Sequence, residues 1–486
     1  MIKKILFPCF YFLSFTFVAQ DVRDLVRFSQ TQVFGSARFE SMAGSFGALG
    51  ADLSTSSINP AGYGRYSSSS FGATFANTYT KNSSNFNETI TDRSLNAFRL
   101  NNIGLVFTND VSQSNRGFIF QQFGFSYNRV ENFKDDIDYE GQQLTSLLDH
   151  FATSASGMTV DDLYNNLAFT SGLAWDTYAI DPNGSGGYFA RIDQGSNVRH
   201  RRNVGTRGGM SEYNFNLSGN YMNKLYVGAN VGLRTGRYQE DYYHSEQLIN
   251  SPGSTLDSFQ YEYHLKTKGS GGNLKIGAIY LPAERLRLGL SIHSPTYFEF
   301  KDEYSSDMIG FHTDTTYYIQ EEYKPEGNYK YRLRTPPKVV SSLAYIFGTR
   351  GAINVDLEWV NYKWAHLRTT LDENYSPFNY SGINEQAKAQ VRNVLNLRIG
   401  GELVFQSQYF FRAGYALYPS AYDPKILSVK STQVFSGGLG FKWKKNSLDL
   451  SIKLDQRNYN YFAFPESTTV VEAKRTMFSI NYQVSF

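Results

Sequence analysis

The sequence predicts an all-β fold, a transmembrane antiparallel β-barrel of about fourteen strands with an N-terminal hatch inside it and short helices in one outer loop. The clearest observation is the segment from Phe478 to Phe486, which alternates between apolar and small polar side chains and ends on an aromatic residue. The same alternation recurs along the chain, for example over 213–221 and 448–455. Beyond the N-terminus, no apolar run approaches the ~20 residues that a membrane helix needs.

The N-terminus predicts a secretory signal peptide. Two lysines precede an apolar run from Ile5 to Val18, which is too short for a membrane span. Cys9, the single cysteine of the chain, is expected to leave with this peptide, so the mature chain is predicted to offer no thiol for a disulfide or a zinc site. The expected division is a signal peptide (1–19), a hatch (20–66) and a barrel (67–486) that carries a long outer loop (134–208).

The composition agrees with an outer-membrane location. Aromatic residues make up 16% of the chain, including 36 Tyr and 38 Phe, and 41 residues are Gly. The mean hydropathy of −0.41 is expected for a barrel, because strands with one apolar and one polar face average to a polar value. The net charge of +3 does not indicate a nucleic-acid partner. The expected partners are outer-membrane lipids and the barrel assembly machinery, and the sequence leaves the oligomeric state open.

The strands were placed by alternation and turn signals. The predicted spans are 67–82, 95–109, 117–133, 209–222, 225–240, 258–281, 285–305, 328–347, 351–368, 388–406, 409–420, 432–444, 447–463 and 474–486. Connections after even-numbered strands are short and those after odd-numbered strands are mostly long. This pattern predicts tight periplasmic turns and long extracellular loops.

The energetics of the bilayer decide which face of each strand meets lipid. A charge at the bilayer midplane costs roughly 2–4 kcal/mol, so the aliphatic and aromatic faces are expected to point outward. The charged residues expected to face the lumen are Asp356, Glu358, Arg398, Glu402, Asp449 and Lys453. The alternative is a soluble β-sandwich, in which the apolar faces would form the core and the charged faces would form the surface. The number of strands and the signal peptide favour the barrel.

The long outer loop, 134–208, predicts two short amphipathic helices. Leu144, Leu147, Leu148 and Phe151 recur at helical spacing, as do Val160, Leu163, Tyr164 and Leu167. Thr159 is a predicted N-cap, with acidic residues in the first turn after it.

A segment before the first strand carries a family resemblance. It contains a small-residue run (Gly44–Gly50), Asp52, and then Asn59, Pro60, Ala61 and Gly62. In this pattern it resembles the N-terminal hatch of FadL/TodX-type outer-membrane transporters of long-chain fatty acids and other hydrophobic compounds. Small residues let a plug pack closely inside a barrel, and Pro60 restricts the backbone of Asn59 to extended geometry. The alternative is a flexible leader without a plugging role.

The third predicted strand contains a change of phase. Phe118 and Phe120 are apolar at even positions, whereas Phe123, Phe125 and Tyr127 are apolar at odd positions. A phase change requires an inserted residue, so a β-bulge is predicted at Gln121 and Gln122. In the family that this chain resembles, a kink in the third strand opens the wall toward the bilayer, which makes these glutamines the expected lateral gate. The alternative is that the two phenylalanines belong to an interfacial aromatic girdle.

The resemblance implies passive uptake of a hydrophobic small molecule, fatty-acid-like or aromatic. Capture by the outer-loop helices would use Leu144, Leu147, Leu148, Phe151, Leu163 and Leu167, and the ligand would then reach a pocket beside the hatch and leave sideways through strand three. The alternative is a barrel of the same fold that serves as a partner in a surface secretion or attachment machine.

Catalytic and cofactor signals are weak. The seven histidines are scattered through the sequence without metal-like spacing, so neither a catalytic site nor a metal or other cofactor is predicted. An outer-membrane protease or lipase assembled from separate loops is the enzyme alternative. The basic run Arg199–Arg202 suits a carboxylate or a lipopolysaccharide phosphate, or a solvated loop.

Overall fold

The computed structural model describes residues 22–486 except 33, 113–116, 194, 250–251, 376–377 and 427–428. The expected signal peptide, 1–19, lies outside the described residues. Among the described helices, none is both long enough and apolar enough to cross a membrane.

Fourteen antiparallel strands form one closed sheet within the described residues. They are β1 (Ser70–Phe86), β2 (Thr89–Asp110), β3 (Phe118–Asn132, continued by Asp135–Gln143), β4 (Asn197–Tyr221), β5 (Leu225–Ile249), β6 (Leu256–Ala283), β7 (Leu286–His293 and Tyr297–His312), β8 (Glu326–Arg334 and Lys338–Ile346), β9 (Gly351–Asn361 and His366–Thr369), β10 (Asn393–Phe405), β11 (Tyr409–Tyr418), β12 (Thr432–Trp443), β13 (Asn446–Phe464) and β14 (Ser467–Ser485). Each strand pairs with the next, and β14 pairs with β1 from Ser70↔Ser485 to Asn85↔Val470. The prediction of a fourteen-stranded barrel is confirmed.

The helices lie before the barrel strands in sequence and in two of the loops. They are α1 (Val22–Ser29), α2 (Ala37–Ser41), α3 (Leu147–Ala155), α4 (Val160–Asn166), α5 (Ser171–Asp176) and α6 (Ser381–Gln390). Two 3₁₀ helices, Thr55–Ser57 and Pro60–Arg65, precede β1. A small hairpin, Ile180–Pro182 and Tyr188–Ala190, completes the long outer loop.

The interruptions of β7 and β8 have a common cause. Pro295 lies between the two segments of β7, and Pro336 and Pro337 lie between the two segments of β8. Proline has no N–H for a ladder hydrogen bond, so regular pairing stops at these positions. Beside them the Thr335 N–H donates to the carbonyl oxygen of Thr296 at 3.0 Å, which holds the two strands together across the break.

The faces of the strands follow the predicted pattern. The charged residues expected to face the lumen are all buried: Asp356, Glu358, Arg398, Glu402, Asp449 and Lys453. Leu450, which points the other way from Asp449, is 46% exposed, as expected for a side chain that faces lipid.

The tight turns also agree with the expected topology. Met222 and Asn223 between β4 and β5, and Gln406 and Ser407 between β10 and β11, all have positive φ. Positive φ at both central residues is typical of the two-residue hairpin turns that match the twist of antiparallel strands.

The bulge in β3 is real, but its predicted position was wrong. Against β4 the register shifts between Phe118 and Phe120, and again between Arg129 and Glu131. Gln121 and Gln122 pair regularly with strands on both sides. The inserted residues are therefore Ile119 and Val130. Alternation of aromatic residues located the phase change only to within a few positions, because Ile119 itself is apolar and hides the step.

Several strands extend well beyond the lipid-facing band. On β4 the outward side chains are Tyr213, Phe215 and Leu217, but those further from the turn at Met222 are polar or glycine up to the end of the strand at Asn197. The part of β4 beyond Ser211 therefore extends past the apolar band, together with the paired part of β5.

Candidate functional site

The segment from Phe34 to Tyr66 lies inside the barrel and forms the hatch. Asp52 is buried, and its carboxylate accepts hydrogen bonds from the Ser36 hydroxyl at 2.7 Å and the Ser54 N–H at 2.9 Å. The Asp52 side chain thus ties the start of the hatch to its middle.

Asn59 joins the hatch to the wall and caps the second 3₁₀ helix. Its side-chain oxygen accepts from the Ala61 N–H at 3.1 Å, and its amide donates to the carbonyl oxygens of Gly47 at 2.7 Å and Ala278, on β6, at 3.2 Å. Pro60 is the first residue of that helix, where its missing N–H costs nothing, and its carbonyl accepts from Asn216 on β4 at 3.1 Å. The Gly62 carbonyl accepts from the Ala51 N–H at 2.9 Å.

The wall around the hatch is lined by glycines. A Cβ atom on any of them would lie between 2.0 and 2.8 Å from a hatch atom. This glycine ring comprises Gly104, Gly124, Gly228, Gly277, Gly289, Gly400, Gly414 and Gly438, on eight different strands. Backbone and side-chain atoms of the hatch therefore occupy the space that wall side chains would fill in an ordinary small barrel.

Charged pairs fill the lumen near the hatch. Arg412 donates to Glu402 at 2.6 Å and to Asp449 at 2.7 Å, and Arg38 of the hatch reaches the same glutamate at 3.1 Å. On the opposite side, Arg234 donates to Glu212 at 2.8 Å. We call these charged pairs the charged layer. A cavity of about 40 Å³, with room for a few water molecules, lies between the charged layer and the hatch.

An apolar chamber lies beyond the charged layer, and helix α1 fills it. The chamber is lined by Val130, Met210, Tyr238, Leu265, Phe298, Phe300, Tyr331, Leu333, Val360, Tyr362 and Leu367, among others. Leu25 and Phe28 of α1 are fully buried within it. The ring of Phe28 stacks on Phe300 at a centroid distance of 4.3 Å. Helix α1 therefore occupies this apolar chamber.

Helices α3, α4 and α5 form a lid over the mouth of the barrel at the end opposite the short turns. The Thr159 N-cap is confirmed, since its hydroxyl accepts from the Asp162 N–H, and α3 has a matching capping box at Ser146 and Asp149. Burial raises the pKa of the Asp149 carboxyl above its usual value. Against the lid lie Phe259 and Tyr261, which face inward on β6.

Most of the residues predicted to bind ligand come together in the lid. Leu147, Leu148, Phe151, Leu163 and Leu167 are buried in one cluster. Leu144 lies apart from them and is 65% exposed, because α3 begins only at Leu147. The apolar faces of the helices are therefore packed into a core in this structure and do not form an open groove.

The wall is incomplete on one side of β3. The last pair between β2 and β3 is Asn102↔Asn128, and among the described residues the edge of β2 beyond it has no ladder partner on the β3 side. Lys134 donates to the Asn96 carbonyl at 2.7 Å and closes the far end. We call the interval between these two points the slit; it is bordered by residues 97–101 and 129–133. Val130, which lines the chamber, lies on its edge.

Gln121 and Gln122 lie nearer the start of β3 than the slit does. Gln122 is buried and donates to the Tyr66 carbonyl of the hatch at 2.7 Å, whereas Gln121 is exposed on the outer surface. Both border an outer groove of about 700 Å³ that faces the lipid, together with Phe107, Phe118 and Phe123.

Two features of the structure were not predicted from the sequence. The role of α1 has a sequence signal, because Val22, Leu25, Val26 and Phe28 recur at helical spacing inside the segment assigned to the hatch. The meeting of His200 and His244 at the mouth of the barrel has none, since 44 residues separate them and only the register of β4 and β5 unites them.

Comparison with known proteins agrees with this architecture. A Pseudomonas aeruginosa FadL homologue superposes with a TM-score of 0.57 at 14% identity, covering 94% of this chain and 100% of that one. The Pseudomonas putida toluene transporter TodX gives 0.53 at 12% identity, covering 94% and 99%. No curated protein sequence matches the chain. Residues 42–485 match the family model described as outer membrane protein transport protein (OMPP1/FadL/TodX). The chain therefore belongs to the OMPP1/FadL/TodX family of outer-membrane transport proteins.

Proposed function

We propose that this protein is a passive outer-membrane channel for hydrophobic small molecules, fatty-acid-like or aromatic. The observation that carries the proposal is the apolar chamber, which the hatch separates from the periplasm and which borders the slit at Val130. A solved protein of similar fold is named a toluene transporter, which supports the same ligand class. Outer-membrane lipids would receive the ligand, and the barrel assembly machinery would insert the protein.

The first step is capture at the lid. A hydrophobic ligand that separates the helices would contact Leu147, Leu148, Phe151, Leu163 and Leu167, with Leu144 at the rim. Burial of apolar surface contributes ~0.8 kcal/mol per CH₂ group, so no energy source is needed.

The second step is displacement of α1 from the chamber. The helix has only eight residues. Leu25 and Phe28 make apolar contacts in the chamber, and the Arg27 guanidinium lies over the ring of Tyr238 at 3.8 Å. A hydrophobic ligand can replace the apolar contacts of Leu25 and Phe28. The hatch remains in place through Asp52, Asn59, Pro60, Ala61 and Gly62.

The third step is exit through the slit into the outer leaflet. The slit needs no rupture of ladder hydrogen bonds, because none join β2 to β3 between Asn102 and Asn96 among the described residues. Leu100 and Phe98 on the β2 side are apolar, and Phe98 is 73% exposed toward lipid.

A reversible crosslink tests this route. Leu100→Cys with Arg129→Cys places two thiols across the slit, and the predicted mature chain has no cysteine of its own. Oxidation should reduce uptake of a hydrophobic fluorescent probe into cells or proteoliposomes, and reduction should restore it. The control is Phe107→Cys with Phe123→Cys, which joins the same two strands at a position where they already pair.

The outer groove at Gln121 and Gln122 is a second candidate exit. If only the control crosslink blocks uptake, the ligand leaves there, and if neither does, lateral exit is wrong. Absence of uptake by the unmodified protein, with no apolar molecule retained on purification, would favour the role of a partner in a surface machine.

A further inference from the structure

Two histidines and a glutamate meet on the inner face of β4 and β5, at the extracellular mouth. His200 lies directly opposite Glu246 in the ladder, and His244 precedes Glu246 by two residues and therefore shares its face. All three side chains are fully buried. Glu246 Oε1 lies 3.2 Å from His200 Nδ1 and 2.8 Å from His244 Nε2.

The hydrogen bonds around His200 determine its tautomer. Its Nε2 lies 3.0 Å from the Thr145 carbonyl oxygen, which can only accept, so the proton resides on Nε2. In the neutral ring the Nδ1 lone pair then faces the Glu246 carboxylate, and Nδ1 has no hydrogen-bond partner among the described residues. A lone pair against a carboxylate oxygen in a buried site is unfavourable unless a proton or a metal cation lies between them.

We propose that His200 Nδ1, His244 Nε2 and Glu246 Oε1 bind a divalent transition-metal ion of the Zn²⁺ class. These three donor atoms lie within 4.8 Å of one another, close enough to contact one ion after small movements. Two imidazoles and one carboxylate form a common zinc ligand set and leave a fourth position for water. The bond from His200 Nε2 to the Thr145 carbonyl is the outer-shell contact that usually orients a metal-binding histidine.

Aromatic rings enclose the two histidines, and one arginine lies nearby. The rings of Phe86 and Phe464 pack near His200, and that of Phe259 packs near His244. The nearest cation is Arg202, opposite His244 in the ladder, and its guanidinium lies over the ring of Tyr242 at 4.0 Å. The ring contact stabilises this positive charge separately from the proposed site.

Glu246 links the site to the lid. Its carboxylate accepts from the Ser146 hydroxyl and, at 2.9 Å, from the Leu147 N–H, at the N-terminus of α3. Thr145, the residue before the N-cap, accepts from His200. A bound ion would fix all these groups to the barrel wall, so the metal should lock the lid. This inference does not depend on the transport function.

Metal titration of the full-length protein in detergent tests the site. After treatment with EDTA, the protein should bind about one Co²⁺ or Zn²⁺ per chain, seen as visible Co²⁺ absorption and as zinc content by mass spectrometry. His200→Ala, His244→Ala and Glu246→Gln should each weaken binding at least about tenfold, the lower end of what even an outer-shell contact contributes. His366→Ala, which removes an imidazole elsewhere, should not.

Limited proteolysis of the outer loop tests the lock. Zn²⁺ should slow cleavage within 134–208 in the unmodified protein and in His366→Ala, but not in the three site variants. Heat-modifiable migration in gels shows whether each variant retains its barrel. Failure to bind one ion per chain, or equal binding by the site variants, would overturn the site. Binding without protection would overturn the lock.

Discussion

Eight glycines on eight strands face the lumen, and atoms of the hatch lie where their side chains would be. At Gly414 a Cβ would lie 2.4 Å from the backbone nitrogen of Ala43. Backbone cannot swing away as a flexible side chain can, so a larger residue there must displace the hatch itself. The neighbouring Ala413 points to lipid and offers a matched comparison.

Gly414→Val is expected to loosen the hatch without preventing barrel assembly. Overpacking of this kind costs typically ~1–3 kcal/mol. Leakage of small polar solutes through proteoliposomes should rise, whereas heat-modifiable migration should be kept. Ala413→Val should behave like the unmodified protein. Equal leakage from both variants would show that close packing at the glycine ring does not hold the hatch in place.

The outward face of β13 supplies a second prediction at this scale. Leu450→Arg should destabilise the folded barrel by about 2–4 kcal/mol if the residue lies near the bilayer midplane, and Leu450→Phe should have little effect. Urea unfolding in lipid vesicles measures the difference. Similar stabilities of the two variants would mean that this face does not meet the hydrocarbon.

Among the elements, α1 and β3 are coupled at the chamber. The N–H of Gln32, just after α1, donates to the carbonyl of Val130 at 3.0 Å, and Val130 is the second inserted residue of β3. The bulge lies two residues beyond Asn128, the last residue of β3 that pairs with β2. One inserted residue therefore contributes both to the chamber and to the slit.

Deletion of Val130 should restore regular pairing of β3 with β4 at the second register shift and narrow the slit. Deletion of Ile119 should remove only the first register shift, near Phe118. Both barrels should assemble, because regular pairing is at least as favourable as bulged pairing. Probe uptake should fall in the first variant and persist in the second. The reverse result would move the exit to the outer groove.

Removal of the apolar anchors of α1 should open the chamber. Leu25→Ser with Phe28→Ser takes two fully buried side chains out of the cluster. The double variant should bind a hydrophobic probe faster than the unmodified protein, as followed by stopped-flow fluorescence. Unchanged binding kinetics would show that α1 does not limit access to the chamber.

For the whole molecule, the barrel has an orientation that labelling can test. Short turns lie at one end, and the lid and α6 lie at the other. Single cysteines placed within 134–208 or 369–387 should react with an impermeant reagent on intact cells. Cysteines in the turns at Asn223 and Ser407 should react only after the outer membrane is opened. If only the turn cysteines react on intact cells, the barrel has the opposite orientation in the membrane.

The sequence by itself determined the barrel, its strand number, the faces of its strands and two of the three lid helices, α3 and α4, but not α5. All of these depend on local periodicity, and a charge in lipid is costly enough to make that periodicity strict. The extended backbone at Asn59 was also predicted from local sequence, because a proline restricts the residue before it in any fold.

Only the tertiary structure decided which residues meet across the lumen. The glycine ring draws single residues from eight strands, the chamber depends on where α1 lies, and His200 meets His244 because of one register among many that alternation allows. A shift of one residue would turn either histidine to the other face. Contacts between distant segments depend on register and strand curvature, which period-two patterns do not encode.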